Sequence, residues 1–166
     1  YFKRQYNPPR LYTISNAYDP DDYKNIKSTH FEDNFFHIVH TGRIARSGQK
    51  SRSESRDVLV SALEAIPEKI EGKSWVLDLY GNLGNSDRKA FEKLISAGKV
   101  RTHGEVARQV AQSAQSSADL LLLIAGKGKS IATGKLFEYL ACSKPIFALV
   151  GSRNEASRIV EECKSG

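Results

Sequence analysis

The residues best placed to do chemistry in this chain lie between positions 125 and 145, AGKGKSIATGKLFEYLACSKP. An apolar run leads into a loop rich in glycine and lysine, and a helix is expected to open at Thr133 and run to 142. A helix start offers unpaired backbone N–H groups and the positive end of its dipole, which suits a phosphate. Thr133 is a capping residue type, and Gly134, with no β-carbon, lets a ligand come close to the backbone. About one turn in, the Glu138 carboxylate is placed to accept hydrogen bonds from the vicinal hydroxyls of a ribose. The same pattern also fits a plain connector followed by a helix whose first acid complements the dipole, and composition leaves both readings open.

Three neighbouring patterns fail on spacing. Gly128, Lys129 and Ser130 imitate the end of a phosphate-binding P-loop, but the first glycine of that motif would fall at Leu123, inside the apolar run. Gly81, Asn82, Leu83 and Gly84 follow a strand-like segment, yet Leu83 stands where a dinucleotide fingerprint needs glycine. Asp19, Pro20 and Asp21 resemble a metal-binding DxD, but no apolar strand leads into them and a turn is expected. His37 and His40 are an odd number of positions apart on an expected strand, so they face opposite ways and do not pair on one metal. No metal or other cofactor is expected. Cys142 and Cys163 have no metal spacing and read as small buried thiols of a reducing compartment.

These groups need a frame, and the rest of the chain reads as one. Residues 36–41 form a β-rich run ending at Gly42, and residues 57–70 put Val58, Leu59, Ala62, Leu63, Ile66 and Ile70 on one helical stripe. Strand 75–80 ends at Gly81; helix 87–97 turns Phe91, Leu94 and Ile95 inward and stops at Gly98. Strand 100–103 ends at Gly104, after which Val106, Val110 and Ala114 mark a helix face. Strand 119–125, the helix from Thr133, strand 145–150 and helix 154–163 complete the series. Five strand–loop–helix units with near-continuous apolar strands predict an α/β fold, a doubly wound parallel sheet of Rossmann-like type. Such a sheet binds ligands at the carboxyl ends of its strands. Residues 1–30, broken by Pro8, Pro9 and Pro20, read as a hinge or connector with one short strand at 11–14, and 31–166 as the domain proper. The Ser- and Gln-rich stretch 112–117 reads as a solvated helix surface.

At 166 residues, 40% hydrophobic and 27% charged, the composition is that of a globular domain. No apolar run approaches the roughly 20 residues of a membrane helix. A net charge of +6 and a pI near 9.3 favour an anionic partner. The basic residues are not interleaved with aromatics as on an RNA-binding sheet, so no nucleic acid is expected. The first residue is Tyr1, and the chain stops at Gly166 where a further strand is due, so a fragment of a longer protein is expected.

Residues 132–145, ATGKLFEYLACSKP, resemble the signature helix of GT-B glycosyltransferases, in particular family 4 (group 1). Other landmarks fall in that family's order. TISNAYDPDDY (13–23) is similar to its hinge, IVHTGRI (38–44) to its first strand, and LDLYGNLG (77–84) to the second. VRTHGEV (100–106) is similar to the third strand and ADLLLLIA (118–125) to the fourth. The resemblance implies the C-terminal half of a two-domain GT-B fold that binds a nucleotide sugar as donor and transfers the sugar with retention. It makes Glu138 the ribose ligand, the second glutamate of an E-x7-E motif whose first position is Ser130 here. Gly134, Lys135 and Leu136 take the positions whose amides meet the donor phosphates. Gly42 and Arg43 match the Gly-Arg loop that neutralises the diphosphate. Lys50, Arg52 and Arg56 compete for a second basic position, with Arg56 preferred. His103, Gly104 and Val106 match the loop against the base. The catalytic residues and the site for an acceptor glycan or lipid-linked glycan are expected in an absent N-terminal half. The fragment alone is expected to bind nucleotide weakly and catalyse nothing. Cytoplasmic placement follows, at the inner face of the membrane, in synthesis of bacterial surface polysaccharide. The competing readings are a nucleotide-sugar epimerase of the same fold, which should supply carboxylates near its loops, and a non-catalytic nucleotide- or partner-binding domain.

Overall fold

Alternating apolar segments and amphipathic helices close on two cores, one on each face of a single sheet. A computed structural model describes residues 2–7, 9–10, 12, 16–26, 31, 33–44, 50–125, 133–151 and 154–166, without the side chains of residues 2, 3 and 50–52. The strands are β1 (Phe36–Thr41), β2 (Lys69–Ile70), β3 (Lys73–Tyr80), β4 (Val100–Gly104), β5 (Leu120–Ile124) and β6 (Ile146–Leu149). The helices are α1 (Phe2–Tyr6), α2 (Lys50–Ala65), α3 (Asn85–Ser96), α4 (Arg108–Ser117), α5 (Gly134–Ala141) and α6 (Glu155–Glu162). Five strands are parallel in the order β4-β3-β1-β5-β6, and β2 pairs antiparallel with β3. Chain order therefore reverses between β1 and β5. That is the topological switch point of a doubly wound sheet, where a ligand crevice forms beyond the strands' carboxyl ends. The fold expectation holds.

Alternation along each strand sends side chains to the two faces in turn. Ile38, Leu77, Leu79, Leu122 and Ile124 pack with Leu59 and Leu63 of α2 and with Phe91 and Leu94 of α3. On the other face Val39, Leu121 and Leu123 pack with Ala114 of α4, Leu136 and Tyr139 of α5, and Val160 of α6.

Several expectations change. The first long helix begins at Lys50, seven positions before the expected start at residue 57, because polar residues extend a helix without adding to its apolar period. It stops at Ala65, ahead of Pro67, so Ile70 belongs to β2. A two-residue loop with positive φ at Glu71 and Gly72 folds β2 back onto β3, the backbone a type I′ hairpin demands. Val58 is 58% and Val110 49% exposed, and Ala62 is also exposed, so none of the three lies on a buried face. α4 instead buries Ala114 together with Gln112 and Gln115, which are 5% and 1% exposed; the stretch expected to be solvated is the packed one. Small alanines let that helix sit close on the sheet, and the Gln115 amide finds a polar partner in Thr41. Cys163 is exposed and Cys142 half-buried, against the expectation of two buried thiols.

The segment before β1 holds α1 and a 3-10 turn at Pro20–Asp22, where Asp19 Oδ1 accepts from Asp21 N at 2.9 Å, so the DxD-like triplet is a turn. The strand expected at 11–14 falls mostly outside the described residues, as do the glycine- and lysine-rich loop 126–132 with Ser130 and the side chains of Lys50 and Arg52.

Candidate functional site

The carboxyl ends of β1, β3 and β4 are drawn together by their own backbone. Gly42 N donates to Tyr80 O at 2.6 Å, and Gly81 N to Gly104 O at 2.7 Å. Gly81 has φ +138°, and a β-carbon there would lie 2.7 Å from Gly42 O, so only glycine fits between the strand tips. Above them opens a cleft of about 350 Å³ lined by Thr41, Gly42, Arg43, Tyr80, Gly81, Asn82, Glu105, Val106 and Ala111. A second cleft, about 480 Å³, adjoins it over Asn82, Arg88, His103 and Gly104.

On its other side β1 parts from β5. The two pair only at Ile38–Leu120 and Val39–Leu121. By the alternation of a parallel ladder the next bond would join Thr41 N–H to the Leu122 carbonyl. The Tyr139 hydroxyl stands in its place, accepting from Thr41 N at 3.0 Å and directed at Leu122 O at 3.4 Å. His40 Nδ1 donates to the same carbonyl at 2.8 Å. Two side chains thus satisfy backbone groups that the splayed strands leave behind, as buried N–H and C=O groups require. Burial pushes the Tyr139 phenol far above the usual tyrosine range, and its bonds with Thr41 only partly offset this.

The start of α5 faces this opening. Thr133 occupies the N-cap position in extended conformation but makes no side-chain cap bond, contrary to expectation. Leu136 is fully buried, and its N–H is directed at Thr133 O at 3.0 Å. Gly134 is exposed, and a β-carbon on it would meet nothing within 4 Å, so there is room above the helix start. Lys135 reaches back over β1: its Nζ is 3.5 Å from His40 Nε2 and would lie 3.0 Å from a β-carbon built on Gly42. Glu138, half-buried, is tied to the same strand through Gln115, whose Nε2 donates to Thr41 Oγ1 at 2.8 Å and reaches Glu138 Oε2 at 3.5 Å. The connector packs nearby, with Arg108 paired to Asp22 at 2.6 Å. Tyr23 Oη and Gln112 Nε2 are buried without a hydrogen-bond partner among the described residues. Burial pushes the Tyr23 phenol up to about 12; Gln112 is near enough to pull it down but not in bonding geometry, and Glu138 adds to the rise.

Thr41, Gly42 and Arg43 thus line the cleft, Lys135 reaches Gly42 from α5, and Glu138 is joined to Thr41 through Gln115. Arg43 is exposed on the rim of the cleft and makes no ion pair among the described residues. Arg56 is placed differently. Its side chain, 11% exposed, pairs with Asp87 at 3.0 Å and with Asp57 at 2.7 Å, binding α2 to α3. Burial works against its charge, but the two carboxylates outweigh that and hold its pKa above the ordinary value. His103 stacks on Tyr80 at 4.1 Å and bonds Asp78 Oδ1 at 2.7 Å, which fixes its ring, while Gly104 and Val106 border the clefts. Asp78 also holds His37, whose other nitrogen meets Asp33 at 2.7 Å. Sequence reasoning missed Gln115, His40 and Tyr139; only their spatial partners reveal them. Among the described residues no group of three or more His, Cys, Asp or Glu side chains could hold a metal ion.

No protein-family model matches the sequence, and no curated protein matches it. Solved structures do. A variant of S. aureus TarM, determined with fondaparinux, α-GlcNAc-glycerol and UDP, superposes with a TM-score of 0.57 at 15% identity, over 87% of this chain and 26% of its own. The lipopolysaccharide outer core galactosyltransferase WaaB gives 0.55 at 17% identity, over 82% of this chain and 36% of its own. A trehalose-6-phosphate synthase studied for glycosyl transfer with retention gives 0.56 at 10% identity, over 90% and 42%. The chain thus spans between about a quarter and two-fifths of these relatives and has the Rossmann-like fold of a GT-B glycosyltransferase domain. Among the described residues no helix is long and apolar enough to cross a membrane.

Proposed function

We propose that this chain is the donor-binding, C-terminal half of a retaining family 4 glycosyltransferase that takes a sugar from a nucleoside diphosphate sugar. One arrangement supports the reading: Arg43 lines the cleft over the strand tips, and α5, open above its start at Gly134, reaches the tip of β1 through Lys135 and, by way of Gln115, through Glu138. A diphosphate there meets a guanidinium and the positive end of α5, and Glu138, one turn further along the helix, takes the ribose. As the glycosidic bond breaks, the leaving diphosphate gains negative charge. Fixed positive groups already aimed at it lower the barrier without reorganising and without a metal. The loop at His103, Gly104 and Val106 borders the base. TarM, captured with UDP, and the retaining synthase share the fold and support the reading. The acceptor, a glycan or lipid-linked glycan of a bacterial surface polysaccharide, belongs to an N-terminal half preceding a hinge at residues 1–30. The whole enzyme works in the cytoplasm at the membrane's inner face, and this half alone binds without turning over.

Titration calorimetry with UDP, GDP and ADP, each beside its nucleoside, tests this. One diphosphate should bind more tightly than its nucleoside, and Arg43→Ala should remove that preference. Glu138→Ala should cost about 1.5–3 kcal/mol, the worth of hydrogen bonds to a charged acceptor. If nucleoside and diphosphate bind the wild-type protein alike, the phosphate site is misplaced; if Glu138→Ala binds as wild type, the ribose lies elsewhere.

A further inference from the structure

We infer that Lys135, in the first turn of α5, supplies the second cation of the phosphate site, and that buried His40 positions its ammonium. The inference rests on the nucleotide-binding reading above. The family resemblance directs this role to the stretch after Arg43, where Lys50, Arg52 and Arg56 compete and Arg56 is preferred, but the donors of Arg56 are taken by Asp57 and Asp87 between two helices. Lys135 comes from the opposite side of the crevice. His40 is fully buried, and its Nδ1 faces the Leu122 carbonyl at 2.8 Å; a carbonyl only accepts, so Nδ1 carries the proton and Nε2 is left with a lone pair. That lone pair faces Lys135 Nζ at 3.5 Å. A ring turned away would leave the carbonyl only the longer Tyr139 contact at 3.4 Å, so this bond holds the ring and with it the place where the ammonium rests. Gly42 leaves the space: a β-carbon there would lie 3.0 Å from Nζ. The ammonium therefore lies over Gly42 at the tip of β1, and a diphosphate held between the α5 start and Arg43 would meet both cations. A flexible lysine held in its binding position before the ligand arrives loses less freedom on binding.

The test uses whichever of UDP, GDP and ADP binds tightest, with its nucleoside as control, on wild type, Lys135→Gln, Lys135→Arg and Arg56→Gln, each shown folded by thermal melting. Lys135→Gln should weaken the diphosphate on the order of ten- to a hundredfold and leave the nucleoside unchanged. Lys135→Arg should recover most of the loss, and Arg56→Gln should lower the melting temperature while keeping the diphosphate preference. A Lys135→Gln protein that keeps its preference overturns the inference and leaves the wider site reading standing. A wild-type protein without any preference overturns both. For His40, the imidazole ¹⁵N shifts of the free protein should report a neutral ring protonated at Nδ1, and ligand addition should move the Nε2 signal. A ring protonated at Nε2 instead overturns the positioning role.

Discussion

Strand β1 has two seams, and they are built differently. Against β3 it is zipped by backbone along its whole length, six registered pairs from Phe36–Trp75 to Thr41–Tyr80, and the glycine-tipped loops continue the contact beyond it. Against β5 it pairs at two positions and then parts, and the hydroxyl of Tyr139 and the ring of His40 take over the bonds that the ladder gives up. The first seam is periodic and makes the sheet. The second is made of particular side chains from distant parts of the chain, and it is where the crevice opens. Gln115 and Lys135 extend it outward, to Glu138 and to Gly42.

The sharpest way to break the contrast is at the zipped seam. Gly81→Ala puts a β-carbon against Gly42 O in a backbone region that side chains avoid, and should cost about 2–4 kcal/mol in urea unfolding. A loss under half that would mean the strand tips are looser than described. At the open seam Tyr139→Phe keeps the ring but strands the Thr41 N–H, and should cost about 1–3 kcal/mol. Exchange of the Thr41 amide should speed up more than that of Gly42, which the zipped seam holds; equal acceleration of both would erase the distinction between the seams.

The same tyrosine sets an alkaline limit. Tyrosines in the unfolded chain lose their proton near about pH 10. In the folded protein burial raises Tyr80 to about 12, with Asp78 adding to it, and raises Tyr139 further. A folded value above the unfolded one means that stability is full below pH 10 and falls as pH climbs through the folded values. Urea midpoints between pH 9 and 12 should decline, less steeply in Tyr139→Phe than in wild type; identical slopes would take Tyr139 out of the account. The smallest effect is expected from Gln115→Leu, about 0.5–1.5 kcal/mol for a lost bond to Thr41, with Glu138 freed to turn. Its diagnostic is a weaker nucleoside at nearly unchanged stability, and unchanged nucleoside affinity would remove Gln115 from any positioning role.

The two seams also explain what could be read from sequence. Apolar runs ending in Gly42, Gly81 and Gly104 announce the strands and their tips, because burial on both faces and the demands of a tight turn are local properties. The positions of Arg43 past a strand end and of Gly134 at a helix start are legible for the same reason. The start of α2 at Lys50 is not, since a polar helix turn has no apolar period. Gln112 and Gln115 read as surface because glutamine usually is, and nothing in their neighbours reveals that Thr41 waits 74 positions away to accept a bond from Gln115. Arg56 reads as a free cation because Asp87, its partner, lies on another helix. The role of Tyr139 depends on a gap between two strands, which no local pattern announces.

The interposed hydroxyl of Tyr139 has a consequence for anyone who would re-engineer this frame. A backbone ladder needs no particular side chain for its own bonds, so along β3 it is burial in the two cores and the bonds of Asp78 that restrict what may stand there. Residues 40 and 139 share one carbonyl and jointly replace the missing pairing; a change at 139 orphans the Thr41 N–H, one at 40 leaves the carbonyl only its longer contact, and the two positions are therefore coupled. Libraries built on this frame should therefore hold positions 40, 41 and 139 constant and spend their diversity on 43, 105 and 106, where the cleft can change its lining without unhinging the sheet.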